Sequence, residues 1–128
     1  MRELEFRAWD NLEKRMRKVV SLHWRDGKPI SVRLEGENEP ISIEGRLVIE
    51  QDTGLKDKNG TEIYEGDIVK VERDGIIYRV EWIHGGFGLE PRYNAPYYPR
   101  LGNVELREKI EVIGNIHENP ELIKQGGK

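Results

Sequence analysis

The sequence predicts a mainly β protein, a small β-barrel core preceded by a β-hairpin arm and followed by a short helix, and three observations predict it. Val and Ile together number 22, against 10 Leu and 2 Ala. β-Branched side chains are stiff at χ1 and pack well on a pleated surface, and the best helix former is nearly missing. Fourteen glycines supply turns, and apolar residues come in short alternating runs punctuated by Asp-Gly, Asn-Gly and Gly-Asp signals about every ten residues, the spacing of an all-β chain.

Taken in order, Leu4, Phe6 and Ala8 alternate with Glu3, Glu5 and Arg7, a first strand ending near Trp9. Asp10-Asn11 turns the chain into a second strand through Met16, Val19, Val20 and Leu22 to Trp24. Asp26-Gly27 is a hairpin signal, because both residue types tolerate positive φ, and it leads into a strand over Ile30–Leu34. Gly36 to Pro40 is a polar loop and the best internal boundary; Ile41 and Ile43, then Leu47, Val48 and Ile49, form the next extended stretch. Asn59-Gly60 turns between Leu55 and Ile63, Gly66-Asp67 leads into Ile68–Val71, and Asp74-Gly75 into Ile76–Trp82. Gly85-Gly86 breaks that strand before Phe87-Gly88-Leu89. Pro91 to Gly102 holds three prolines without periodicity and is a loop. Ile110–Ile116 is a last strand interrupted by Gly114, and Asn119-Pro120-Glu121 is a helix start, with a cap, a first-turn proline and an acid at the positive end of the dipole. The expected organisation is one domain over residues 1–128, with a β arm at 1–40, a barrel core at 41–118 and a short helix at 119–125.

Bulk composition narrows the functional classes. With no cysteine there is no disulfide, thiolate zinc site or cysteine nucleophile. The charged N-terminus lacks the apolar core of a signal peptide, and apolar runs reach only two or three residues, so the expectation is a cytoplasmic protein without a membrane partner. A net charge of −3 disfavours a general nucleic-acid binder. Residues 1–34 are nevertheless basic, with nine Lys/Arg against five Asp/Glu, and residues 35–72 acidic, with four against eleven.

No constellation predicts a catalytic, metal or cofactor site. Asp57 with Asn59, and Glu65 with Asp67, resemble oxygen ligands, but Asp and Asn beside Gly60 and Gly66 are better explained as turn formers, and Tyr64 as a core residue. His23, His84 and His117 do not pair at ligand spacing. Ser21, Ser31 and Ser42 sit in strand-like surroundings without a nucleophile elbow, and Gly85 to Gly88 lacks the helix of a phosphate loop. Two segments are candidate interaction sites. Lys14, Arg15, Arg17 and Lys18 crowd four cations into five residues, although a strand splits them between two faces. Arg92, Tyr93, Tyr97, Tyr98 and Arg100 combine aromatic rings with guanidinium groups among prolines, the residue types of binding hot spots and of single-strand stacking; the alternative is that the tyrosines seal the barrel.

Three blocks, RELEFRAWDNLEKRM (2–16), TGLKDKNGTEIYEGDIVKV (53–71) and IEVIGNIHENPELI (110–123), in this order and spacing, resemble the YopX family of phage and prophage proteins. The resemblance implies an SH3-like barrel core, an N-terminal segment beside it and oligomers; it supplies no biochemical role. Residues 23–46 and 91–104 depart from the family pattern. The expected function is a non-enzymatic, self-associating protein–protein interaction module, a phage or host protein being a further partner. The alternative is a nucleic-acid-associated accessory protein that uses the basic arm and the Tyr/Arg loop.

Overall fold

Alternation and turn chemistry produce strands almost everywhere that the chain is described. A computed structural model describes residues 4–72, 75–83, 86–91 and 109–123. The strands are β1 (Phe6–Asp10), β2 (Arg15–Arg25), β3 (Lys28–Leu34), β4 (Ile41–Ser42), β5 (Leu47–Lys56), β6 (Glu62–Tyr64), β7 (Asp67–Val71), β8 (Ile77–Ile83), β9 (Gly86–Pro91) and β10 (Ile110–Asn115). All their pairings are antiparallel. The protein is mainly β. The chain forms two compact units that divide inside β5, the first ending at Gln51 and the second beginning at Asp52.

In the first unit the strand order is β4-β3-β2-β1, with the start of β5 beyond β1. The β2–β3 hairpin turns on Asp26 and Gly27, at φ 51° and 80°, the positive pair that a tight turn between twisted strands demands. The core contains Ala8, Val32, Leu34 and Leu47, with Val19, Leu22, Ile41, Ile43 and Ile49 packed against it. Val19 and Leu22 are an odd number of residues apart, so simple alternation would send them to opposite faces. A bulge between Val19 and Ser21 resets the phase and returns Leu22 to the core.

In the second unit the end of β5 pairs with β6, and a separate sheet has the order β10-β7-β8-β9. Its ladder does not close into a barrel among the described residues. The core is Ile63, Val69, Val71, Tyr78, Val80, Leu89 and Ile110, with Leu55, Phe87 and Val112 partly buried against it. In central β7, Val69 and Val71 face the core, while on the opposite face Ile68 is equally enclosed and Lys70 is exposed. Gly114 bulges β10, and a Cβ there would overlap the Asn119 side chain.

The expected C-terminal helix is, among the described residues, a single 3-10 turn over Pro120–Leu122 with no buried residue. Asn119 does not cap it. Its Oδ1 accepts the Asn115 backbone N–H at 3.2 Å instead, which commits the side chain to the preceding strand rather than to a helix start.

Candidate functional site

Phe6, Ala8 and Asp10 share one face of β1, so alternation sends a carboxylate inward in the same phase as the core residues. Asp10 is 0% exposed. Its Oδ1 accepts the backbone N–H groups of Leu12 at 2.9 Å and Glu13 at 3.2 Å and the Nε–H of Arg46 at 3.0 Å. Its Oδ2 accepts from Arg46 Nη2 at 2.9 Å and Arg17 Nη1 at 3.2 Å. Arg17 reaches it because Ala8, opposite in the β1–β2 register, is too small to block a long side chain, and Asp10 lies one diagonal step away. Arg17 then extends Nη2 to Glu37 at 2.8 Å. Glu13 lies within 4 Å of both arginines.

The side-chain bond from Arg46 is the largest influence on Asp10; with the Glu13 and Leu12 backbone donors and Arg17 it outweighs burial and holds the carboxyl far below the usual carboxylate range. Bonding to Glu37 and then Asp10 raises Arg17 against the cost of its burial, and bonding to Asp10 raises Arg46. Bonding to Arg17 lowers Glu37. A carboxylate with five donors has its lone pairs occupied and takes no proton near neutral pH. The arrangement fixes the β1–β2 turn to Arg46 and positions chain rather than transferring protons.

This network absorbs part of the sequence's basic cluster. Arg17 points inward and is nearly fully buried, whereas Lys14, Arg15 and Lys18 are exposed. Arg15 pairs with Glu13 at 2.8 Å, and Lys14 adopts φ 57° to close the turn. On the other face of β1, Arg7 Nε donates to Glu50 Oε1 at 3.0 Å from the directly opposite position in the β1–β5 register.

Asp57 and Asp67 of the central block are turn formers, as expected. Asp57 Oδ1 accepts the backbone N–H groups of Asn59 and Thr61, each at 2.9 Å, and Oδ2 accepts that of Val112 at 2.9 Å. Asp57 therefore ties the β5–β6 turn to β10 inside the second unit. Asp67 Oδ2 accepts the Tyr64 N–H at 2.7 Å, bracing the turn at Gly66. Glu65 is half-buried beside it. His23 is exposed, 3.4 Å from Ser21 Oγ, and His117 lies in the turn after β10, where its N–H donates to Asn115 Oδ1 at 3.0 Å. Ser21, Ser31 and Ser42 lie on β2, β3 and β4, with Ser31 opposite Ser42. His84 and the loop residues Arg92, Tyr93, Tyr97, Tyr98 and Arg100 lie outside the described residues.

Sequence reasoning missed the partnership of Asp10 with Arg46 and of Arg17 with Glu37. The available signal was phase, since Asp10 follows Phe6 and Ala8 on an inward face and Arg17 precedes Val19 on another. The opposite charges that complete the pairs lie 36 and 20 residues away, a separation that no local pattern spans. Two tryptophans were also passed over. Trp24 and Trp82 are each 58% exposed.

A family model described as YopX protein matches residues 5–124. The crystal structure of protein EF1440 from Enterococcus faecalis is similar at a TM-score of 0.74 with 31% identity, covering 97% of this chain and 100% of that one. Protein yopX from Bacillus subtilis is similar in fold at a TM-score of 0.65, with 20% identity over 94% of this chain and 95% of that one. No curated protein matches the sequence. The chain belongs to the YopX family.

Proposed function

We propose that this member of the YopX family is a non-enzymatic protein–protein interaction module that self-associates, acting as a phage or prophage accessory protein in the host cytoplasm. The observation that carries the reading is the exposed end of the β8 core face. Tyr78 and Val80 on that face are buried, and Trp82 continues the same phase at 58% exposure. Phe87, its register partner on β9, packs edge-to-face on it with centroids 5.0 Å apart. An aromatic pair that holds its geometry at the end of a core, with one ring largely in water, offers the large, preorganised apolar contact typical of interface centres. A second copy meeting it through the same patch makes a closed, self-complementary contact.

The finer fold reading is an SH3-like barrel in the second unit. The return of β10 to lie beside β7, the first strand of the β7-β8-β9 meander, supports it. Arg92, Tyr93, Tyr97, Tyr98 and Arg100 follow β9 in sequence and are proposed as a further protein contact, for a phage or host partner.

Light scattering after size exclusion tests the reading. The expected mass is a multiple of the 14.9 kDa chain, reduced when Trp82 is replaced by Ser. A strict monomer across micromolar concentrations, or an unchanged assembly in Trp82→Ser, overturns self-association through this patch.

A further inference from the structure

The core of the first unit ends at the register pair Leu22 and Val32, but the β2–β3 ribbon does not. It runs on through Trp24 opposite Pro29 and Arg25 opposite Lys28 to the turn at Asp26 and Gly27. His23, Trp24, Arg25, Asp26, Gly27 and Lys28 are all exposed, Trp24 by 58%. A bulge between His23 and Trp24 shifts the register just past Leu22, and the indole stands exposed beyond the last core pair. Arg25 and Lys28 form the last cross-strand pair and make no ion pair with carboxylates among the described residues, in contrast to Arg15 and Arg17 nearer the start of the same strand. The tip thus combines a wet aromatic ring, two uncommitted cations and an imidazole, with Asp26 the one opposing charge.

A single tryptophan on a narrow ribbon is poorly matched to a folded protein partner. A standard interface engages about 20–30 residues a side, whereas six residues line this tip. It is well matched to a single-stranded nucleic acid, where one exposed ring suffices to stack one base and cations neutralise the flanking phosphates. We infer that the β2–β3 hairpin tip is a single-stranded nucleic-acid contact, with Trp24 the stacking residue and Arg25 and Lys28 the phosphate contacts. The net charge of −3 makes this a local, salt-sensitive contact confined to the tip, with the other acidic surface opposing it. The inference concerns the first unit and is independent of self-association through Trp82.

Fluorescence anisotropy with a labelled short oligothymidylate at low salt tests it. The full-length protein is expected to bind. Trp24→Ala should weaken binding about tenfold, the loss of one base-stacking contact, while Trp24→Phe keeps most of it. Arg25→Gln combined with Lys28→Gln should lower the salt slope by about 1.4, two single-strand phosphate contacts. Trp24→Ala should leave the light-scattering mass unchanged, which separates this contact from the proposed assembly. No binding by the unaltered protein at low salt overturns the inference. So does equal binding by Trp24→Ala, and so does a Trp24→Ala protein that loses a protein partner while its oligothymidylate binding is unchanged.

Discussion

The two units of the chain solve the same problem with different interiors. The first has four purely apolar core residues, one of them alanine, and completes its inside with a buried carboxylate, a buried guanidinium and a second arginine laid against them. The second has seven core residues, with Ile, Val, Leu and Tyr meeting on the face of β7 that carries Val69 and Val71. Among its buried polar groups, Asp57, Asp67 and Asn115 each accept backbone N–H groups that fix turns. A buried ion cluster gives directional specificity at a desolvation cost, so it is sensitive to loss of one member; an apolar core is graded and indifferent to pH. A charge run in sequence is therefore only a partial guide to a charged surface: Lys14, Arg15 and Lys18 are exposed and Arg17 is not. Arg17 sits among the most basic residues of the chain and is spent inside it.

The largest expected effect breaks the first interior. Asp10→Ala takes the buried carboxylate from between Arg17, which keeps only Glu37 and Glu13, and Arg46, and should cost about 4 kcal/mol, read by urea denaturation. Its counterpart in the second unit, Leu89→Ala, opens a cavity and should cost about 3 kcal/mol by the same measurement. Gly114→Ala sharpens the comparison further, since the new methyl meets the Asn119 side chain that ties β10 to its turn; it should lower the melting temperature, equivalent to about 2 kcal/mol.

Much of the fold was legible because it is local. Alternation located β1, β2, β7 and β8, and Asp26-Gly27 located its hairpin, since each depends on residues within one strand or one turn. The bulge at Val19 and Val20 was not legible, because it answers to the β3 partner. Asn59-Gly60 marks a real turn, but the organising residue is Asp57, whose reach to Val112 crosses 55 positions. Asn119 looked like a cap and instead serves Asn115, a tertiary claim on a side chain with a strong local preference. On the surface, cation clustering pointed to residues 14–18, whereas exposure points to Trp24 and Trp82, isolated aromatics that carry no motif.

Asp10 offers the most direct test of the contrast. Its carboxyl is lowered in the folded chain relative to about 3.9 when unfolded, so its contribution is complete above that value and is lost as pH falls through the folded value. The measurement is the stability difference between the unaltered protein and Asp10→Asn from pH 7 to pH 2.5, beside the same difference for Leu89→Ala. The Asp10→Asn gap should be constant above about pH 5 and shrink below about pH 4, while the Leu89→Ala gap stays level. An Asp10→Asn gap that persists undiminished into acid, or a Leu89→Ala gap that shrinks with it, would contradict the assignment of charge to one interior and apolar packing to the other.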